Sequence, residues 1–193
     1  MATGRVRVYI ATSLDGFIAG PGDDLSWLPG SDEMSAGLED ATRGGELTYE
    51  AFTADVGALL MGRRTYDVVR GFDVPWPFED HPVLVATRRP LDPGAPATVR
   101  AVAGDIRDMV SLALEAAGGR DVYLDGGRLI RQAAEADLID DLTVTVAPVA
   151  LGEGLPLFAG LSRRYPLEIL SHHSSPGGMV QLRMRPCREV GEG

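Results

Sequence analysis

The sequence has no lysine: all 18 of its basic residues are arginine. Schiff-base chemistry on lysine and a lysine-type phosphate loop are therefore excluded. A single cysteine, Cys187, excludes an internal disulfide and gives no indication of a metal cluster, so we expect no metal site. No apolar run approaches the ~20 residues of a membrane span, and the N-terminus lacks the features of a signal peptide. We therefore expect a cytoplasmic protein.

Positive charge is scarce as well, because the formal net charge is −10. Nucleic acids and anionic membranes are bound through surplus positive charge, so neither is expected as a partner. An anionic ligand would have to meet a local cluster of arginines. Hydrophobic residues make up 45% of the chain and charged residues 24%, which is ordinary for a globular protein. The length suits one domain over residues 1–193.

Residues 121–158 carry a strand, a glycine pair, a helix and a second strand in succession, which is the order of a βαβ unit. Val122 to Leu124 form the apolar strand, and Gly126-Gly127 leads into a segment with apolar residues at helical spacing. The glycines therefore lie at a helix N-terminus, where unpaired N–H groups attract phosphate. The second strand is predicted over residues 142–149. A glycine pair is also common in turns that bind nothing, so this signal alone leaves both readings open.

Two further apolar strands are predicted to end in anion-binding residues. The strand over residues 57–61 is followed by Gly62-Arg63-Arg64-Thr65 and a helix over residues 66–70, and the strand over residues 83–86 is followed by Thr87-Arg88-Arg89. Guanidinium and hydroxyl groups suit phosphate, although solvated surface arginines are the alternative. Because the carboxyl ends of parallel strands share one edge, the three clusters could converge on one ligand with several phosphates.

The first strand, residues 5–13, alternates charged with apolar residues, which suits a strand entering a sheet from an edge. Asp15-Gly16 follows it, either as a plain turn or as a carboxylate facing a ligand. Trp27 in the next loop could cap the core or stack on a flat ligand.

One or two amphipathic helices are predicted over residues 31–53. A helix over residues 104–118 is capped by Asp105, and residues 167–185 read as an antiparallel hairpin that contains His172 and His173 as ordinary strand residues.

Several of these motifs, taken in order, resemble the dihydrofolate reductase superfamily, and within it the riboflavin-pathway reductase branch. They are Ser13-Leu14-Asp15-Gly16, Met61-Gly62-Arg63-Arg64-Thr65-Tyr66, Thr87-Arg88, Asp125-Gly126-Gly127, Leu138-Ile139-Asp140-Asp141-Leu142 and Pro148-Val149-Ala150-Leu151-Gly152. The resemblance implies an α/β, dihydrofolate reductase-like fold: a mostly parallel central sheet of about eight strands with flanking helices, here with the C-terminal hairpin. It also implies NADPH as hydride donor, a small-molecule substrate held beside the first strand, and a homodimer.

The same resemblance implies the site residues. In the family, the turn that holds cofactor phosphates corresponds to Gly62, Arg63, Arg64 and Thr65, and the second pyrophosphate turn corresponds to Gly126, Gly127, Arg128 and Leu129. The group near the adenosine 2′-phosphate corresponds to Thr87 and Arg88, with Arg63 nearby. The nicotinamide pocket corresponds to Thr12 and Ser13. On the substrate side, Asp15 is the expected catalytic residue, with Asp125 and Trp27 as further substrate contacts. Asp125 replaces a glutamate that many riboflavin-pathway reductases have before the glycine pair.

The implied function is that of the 5-amino-6-(5-phosphoribosylamino)uracil reductase of riboflavin biosynthesis, acting on a small heterocyclic or ribosylaminopyrimidine substrate. One departure concerns residues 69–76, where the riboflavin enzymes carry a stretch resembling D-x-P-x-L-T-x-R that helps to bind the substrate's phosphate. A first alternative is a dihydrofolate or pterin reductase, for which Asp32, Glu33, Glu39 and Asp40 are candidate carboxylates on the first long helix. A second alternative is a non-catalytic NADPH-binding module.

Overall fold

A computed structural model describes residues 4–28, 48–175 and 177–187. Its strands are β1 (Val6–Ser13), β2 (Phe17–Ala19), β3 (Val56–Gly62), β4 (Val83–Ala86), β5 (Val99–Val102), β6 (Asp121–Asp125), β7 (Asp141–Ala147), β8 (Leu155–Pro156), β9 (Leu167–Ser174) and β10 (Val180–Pro186). Its helices are α1 (Tyr49–Thr53), α2 (Arg63–Arg70), α3 (Ile106–Ala116) and α4 (Gly127–Glu135), with a short 3-10 turn at Pro21–Asp23. None of the helices within these ranges is long and apolar enough to cross a membrane.

The central sheet has eight strands in the order β5-β4-β3-β6-β1-β7-β10-β9. The first six in this order run parallel, and β10 and β9 form an antiparallel hairpin beside β7. A separate antiparallel pair joins β2 to β8. The predicted mostly parallel sheet of about eight strands with a C-terminal hairpin is therefore confirmed.

Apolar side chains cover both faces of the sheet. On one face α3 and α4 pack on the sheet through buried residues such as Val110 and Ile130. On the other face Phe52 of α1 and Tyr66 of α2 join Trp76 over β3, β4 and β6. Period-two alternation along β6 sends Val122 and Leu124 to the first face and Tyr123 to the second.

The first strand differs from its sequence-based expectation, because β1 lies in the middle of the sheet and not at an edge. Its charged residue Arg7 is buried and pairs with Asp121 at 3.2 Å and with Asp55 at 3.8 Å. Asp121 also binds Arg5 at 2.7 Å. A charged residue can occupy a central strand here because a carboxylate from the neighbouring strand compensates it.

Most predicted elements are confirmed, with differences at their ends. Asp105 caps α3 by accepting from the Arg107 N–H at 2.7 Å. β7 ends two residues before the predicted end, where Pro148 has no N–H to donate to a ladder. The sequence reasoning missed β5, β2 and β8, which are four, three and two residues long. Of the helices predicted over residues 31–53, only α1 falls within the described residues.

Candidate active site

The sheet opens between its two central strands, β1 and β6. β1 pairs with β7 from Arg7 to Ser13, whereas its pairing with β6 ends at Arg7 and Tyr123. Beyond that point the Tyr123 hydroxyl donates to the backbone carbonyl of Tyr9 at 2.9 Å. The direction of strand addition also reverses here, because β3, β4 and β5 lie on one side and β7 on the other. Ligands of open α/β sheets bind at such switch points, outside the carboxyl ends of the strands.

Two glycine turns meet at this edge of the sheet. Gly62 is the N-cap of α2 and Gly126 is the N-cap of α4, and neither helix receives a side-chain cap. Gly126 has φ +98°, and a Cβ atom there would lie 2.7 Å from the Thr65 hydroxyl oxygen. The turns predicted to hold phosphates are thus in contact, and their first-turn N–H groups remain available to an anion.

The arginines of the first turn already have protein partners. Arg63 donates to the Asp67 carboxylate at 2.7 Å and to the Pro90 carbonyl at 2.9 Å. Arg64 forms an ion pair with Asp23, in the loop after β2. Arg88, after β4, is exposed and has no polar contact within the described part of the chain. Of the three, Arg88 has the guanidinium most accessible to a phosphate.

A surface groove of about 560 Å³ runs beside the second turn, between α3 and α4. Arg107, Arg128 and Arg131 line it, and none of the three forms an ion pair with any residue that the structure describes. The groove's one carboxylate, Glu135, accepts from the Ser162 N–H at 2.6 Å and from its hydroxyl at 2.5 Å. The groove is therefore positively charged in a protein whose net charge is negative.

Asp15, in the turn after β1, is an exposed carboxylate that is saturated with hydrogen bonds. It accepts from the Ser13 hydroxyl at 2.6 Å, from the Gly152 N–H at 2.7 Å and from the Leu151 N–H at 3.1 Å. These donors, the Ser13 hydroxyl first among them, lower the pKa of Asp15 to about 2. Asp15 is therefore ionised throughout the neutral range, and it fastens the loop after β7 to the end of β1.

Asp125, at the end of β6, is in the opposite environment. Its carboxyl group is partly buried and accepts a hydrogen bond from the Gly126 N–H at 2.7 Å. Desolvation raises the pKa of Asp125 to about 6, and the Gly126 N–H and the Tyr123 hydroxyl offset this only in part. A carboxyl group that titrates near neutral pH can donate or accept a proton, which Asp15 cannot do.

Aromatic side chains surround Asp125 on this face of the sheet. Tyr9, Tyr49, Tyr123 and Phe52 form a cluster with ring centroids 5.0–6.4 Å apart. Burial and, second, the charge of Asp125 raise the pKa of Tyr49 to about 12, so its hydroxyl stays protonated. The sequence reasoning missed this cluster, because its members come from three elements that are far apart along the chain. Tyr9 and Tyr123 carried a usable signal, as bulky aromatics within two predicted strands.

The remaining predicted residues have different positions. Thr12 and Ser13 are buried at the end of β1, beside the opening. The Leu129 side chain packs in the core, so only its backbone could face a ligand. Trp27 lies in the loop after β2, and its indole N–H donates to the Asp24 carbonyl at 3.1 Å. Asp32, Glu33, Glu39 and Asp40 lie outside the described residues.

The mostly parallel sheet and its C-terminal hairpin form a dihydrofolate reductase-like fold, which confirms the predicted fold class. The dihydrofolate reductase of Enterococcus faecalis, solved in complex with NADP(H), shares this fold with a TM-score of 0.62 and 14% identity, over 96% of this chain and 98% of that one. More specifically, the chain belongs to the RibD C-terminal domain family, whose sequence profile matches residues 71–181.

Two relatives are similar over most of the chain. The uncharacterized protein YwjB of Bacillus subtilis is 31% identical over 166 residues, covering 86% of this chain and 88% of YwjB. The crystal structure of a Shewanella sp. PV-4 protein provisionally assigned to riboflavin biosynthesis has a TM-score of 0.80 and 31% identity, over 95% of this chain and 99% of that one. The resemblance to the riboflavin-pathway branch is thereby confirmed.

Proposed function

We propose that this protein is an NADPH-dependent reductase that transfers hydride to a polarised C=N or C=O group of a small heterocyclic substrate. The riboflavin-pathway reaction, reduction of a 5-amino-6-(5-phosphoribosylamino)uracil-type substrate, is the leading candidate because the chain belongs to the RibD C-terminal domain family. One observation carries the proposal: two uncapped helix N-termini meet beside the opening between β1 and β6, where a proton-exchanging carboxyl group also lies.

The residues present fit a dinucleotide with several phosphates. The N–H groups after Gly62 and Gly126 would bind the pyrophosphate, because both helix N-termini are free and the turns touch. The groove that starts at Arg128 would take the adenosine half. Arg88 would contact the 2′-phosphate, as the resemblance implies, and this contact would favour NADPH over NADH.

Bound NADPH would supply the hydride for the carbon of the C=N or C=O group, and the electron pair of that double bond would move to its heteroatom. That heteroatom then takes one proton, so the balance is one hydride and one proton for each double bond reduced. Asp125 is the better proton donor of the two carboxyl groups, since its pKa is about 6 and that of Asp15 is about 2. With a pKa near 6, roughly one Asp125 in ten is protonated at pH 7.

Asp15 then keeps the role of a substrate-side anchor: it holds the loop after β7 against the end of β1 through the Leu151 and Gly152 N–H groups. The protein's own contribution to the reaction would be orientation, because the opening between β1 and β6 would hold the acceptor carbon against the hydride donor. A cytoplasmic location, which the sequence features predict, and a homodimer, which the family resemblance implies, remain part of the proposal.

NADPH binding is the first test. Titration calorimetry of the full chain should detect NADPH binding at sub-millimolar concentrations, with weaker binding of NADH, and thermal unfolding should shift upward with NADPH. If neither binding nor stabilisation by NADPH is observed, NADPH is not the cofactor and the proposed function is wrong.

A substrate comparison is the second test. Complementation of a riboflavin auxotroph, beside an NADPH-oxidation assay with dihydrofolate, separates the riboflavin reaction from the pterin alternative, which the dihydrofolate reductase-like fold also supports. Tight NADPH binding without turnover on either substrate would identify a non-catalytic module.

A further inference from the structure

One carboxylate lies between two of the arginines near the first glycine turn. Asp67, on α2, accepts from the Arg63 Nε–H through one oxygen at 2.7 Å, and its other oxygen lies 3.9 Å from a guanidinium nitrogen of Arg89. Arg63 is the first residue of α2 and Arg89 belongs to the loop after β4, so Asp67 joins the helix to that loop. Two guanidiniums around one carboxylate form a setting that also suits a phosphate group.

Contacts other than Asp67 also hold Arg63 in place. Its Nη1 group donates to the Pro90 carbonyl at 2.9 Å, and its guanidinium carbon lies 5.9 Å from the centroid of the Tyr66 ring. The Tyr66 hydroxyl donates to the Asp92 carboxylate at 2.9 Å, which fixes the loop after β4 along α2. Among residues 4–28, 48–175 and 177–187, the Nη2 group of Arg63 has no acceptor. Arg63 therefore keeps both a fixed position and a free donor.

The charges at this point do not balance. Arg63, Arg88 and Arg89 supply three positive charges, and Asp67 is the one carboxylate that contacts any of them in the described part of the chain. A dianionic phosphate placed among these arginines would compete with Asp67 for the same guanidiniums. It would also be repelled by the carboxylate, because charges closer than a Debye length of about 8–10 Å are not fully screened. A ligand without that phosphate would experience neither effect.

We propose that Asp67 is a cofactor-specificity residue, an internal anion that competes with the 2′-phosphate of NADPH for Arg63 and Arg89 and so limits the preference for NADPH over NADH. This inference rests on the proposed function for the position of the 2′-phosphate, and it adds a residue that acts against phosphate binding. Arg63 would keep its contact with the Pro90 carbonyl and offer its Nη2 group to the phosphate. The proposal concerns binding only, without a covalent step.

The test compares calorimetric dissociation constants of NADPH and NADH, measured without substrate, for wild type, Asp67→Asn and Asp67→Glu. Asp67→Asn keeps an oxygen that can accept from Arg63 but removes the negative charge. It should tighten NADPH binding about three- to tenfold and leave NADH within about twofold. Added salt should reduce the gain, because the carboxylate is partly exposed. Asp67→Glu keeps the charge and should keep the wild-type ratio of the two dissociation constants.

Asp80→Asn is the matched control, because it removes the same charge from an exposed position that has no polar contact with the residues described. Asp80 precedes β4, so it lies toward the opposite edge of the sheet, and its substitution should leave the ratio unchanged. In an Arg63→Ala background, Asp67→Asn should lose most of its gain, since the carboxylate acts largely through Arg63.

Three results would overturn the inference while wild type still prefers NADPH, and the proposed function would then stand. Asp67→Asn could weaken NADPH binding, which would make Asp67 a residue that only positions Arg63. It could leave the ratio within about twofold of wild type, or Asp80→Asn could raise the ratio equally. A wild-type protein that binds neither NADPH nor NADH would overturn this inference and the proposed function together.

Discussion

The chain contains the dipeptide Asp-Gly at the end of two central strands, and the two aspartates have opposite properties. Asp15 follows β1, is exposed, accepts hydrogen bonds from one O–H and two N–H groups and has a pKa of about 2. Asp125 ends β6, is desolvated beside a tyrosine cluster and has a pKa of about 6. The same two residue types therefore produce an anchor in one place and a proton-exchanging group in the other, and the surrounding donors and burial decide which.

The largest effect is expected from Asp125→Asn, which removes the proton donor without a change of size. Loss of a positioned general acid costs about 10²–10⁴-fold in rate, so hydride transfer from NADPH should slow by that order in a stopped-flow assay with the accepted substrate. The limb of the pH–rate profile near pH 6 should disappear as well. Asp15→Asn is the control, and it should retain that limb. If the limb near pH 6 persists in the pH–rate profile of Asp125→Asn, a group other than Asp125 donates the proton.

The same substitution should change stability in a pH-dependent way. Because the folded pKa of Asp125 is raised from 3.8 to about 6, its contribution to stability is fully present below pH 3.8 and is lost as the pH rises through about 6. Asp125→Asn should therefore be more stable than wild type above pH 6, by about 1–3 kcal/mol, and equal to it near pH 3.8. Denaturant unfolding at several pH values measures the difference, and a constant gap across this range would contradict the raised pKa.

The turn at Gly126, beside Asp125, should also be sensitive to substitution. Gly126→Ala places a Cβ atom 2.7 Å from the Thr65 hydroxyl oxygen at a backbone φ of +98°. We expect a loss of about 1–3 kcal/mol in stability and at least about tenfold weaker NADPH binding, because the Thr65 side chain must move and alanine is strained at this positive φ. Gly118→Ala has a positive φ but nothing within 4 Å of the added atom, so it should lose stability and retain NADPH affinity. Equal NADPH affinity in both variants would show that the turn at Gly126 does not contact the cofactor.

Cofactor choice provides a smaller effect. Arg88→Ala should weaken NADPH binding by about tenfold to a hundredfold and leave NADH nearly unaffected, because only NADPH carries the 2′-phosphate. Added salt should reduce the difference, since the contact is exposed. Arg100→Ala, an exposed arginine on β5 without polar contacts in the described residues, is the matched control. A ratio of dissociation constants within about twofold of wild type in both variants would leave Arg88 as a surface residue.

Asp15→Asn should have the smallest effect, confined to the loop that Asp15 holds. Its folded pKa is lowered to about 2, so its stabilisation is present above pH 3.8 and is lost as the pH falls through about 2. The melting temperature of Asp15→Asn should therefore lie below that of wild type at pH 7 and approach it near pH 2. A gap that stays the same at low pH would show that the carboxylate charge is not what holds Leu151 and Gly152.

Local signals in the sequence predicted much of the fold. Apolar runs and glycines located β3, β4 and β6 and their shared carboxyl edge, and Asp105 located the start of α3. Short or mixed strands were missed: Val99–Val102 offers only four residues, and β8 only two. Arg7 misled the placement of β1, because its partner Asp121 is remote in sequence and cannot be read from a local pattern.

The candidate site was predictable only in part, for a similar reason. Phosphate-type turns are local, so Gly62 and Gly126 could be found from their neighbours. The pKa of Asp15 is lowered by the Ser13 hydroxyl and by backbone donors at residues 151–152, and the pKa of Asp125 is raised by burial. The donors at residues 151–152 and the burial of Asp125 both come from parts of the chain that are remote in sequence, so a local pattern does not reveal them. From the sequence alone Asp15 was expected to orient the substrate or relay the proton, whereas the proposed function gives proton donation to Asp125 and keeps Asp15 as an anchor.

The most direct test of the account is a carboxyl ¹³C NMR titration of aspartate-labelled protein, with and without NADP⁺, using Asp125→Asn and Asp15→Asn to assign the two resonances. The account predicts that Asp125 titrates with a midpoint near pH 6, that Asp15 does not titrate above pH 4, and that NADP⁺ shifts the Asp125 resonance. An Asp125 midpoint below about 4.5, or an Asp125 resonance that saturating NADP⁺ leaves unchanged, would contradict a cofactor site beside a proton-donating Asp125.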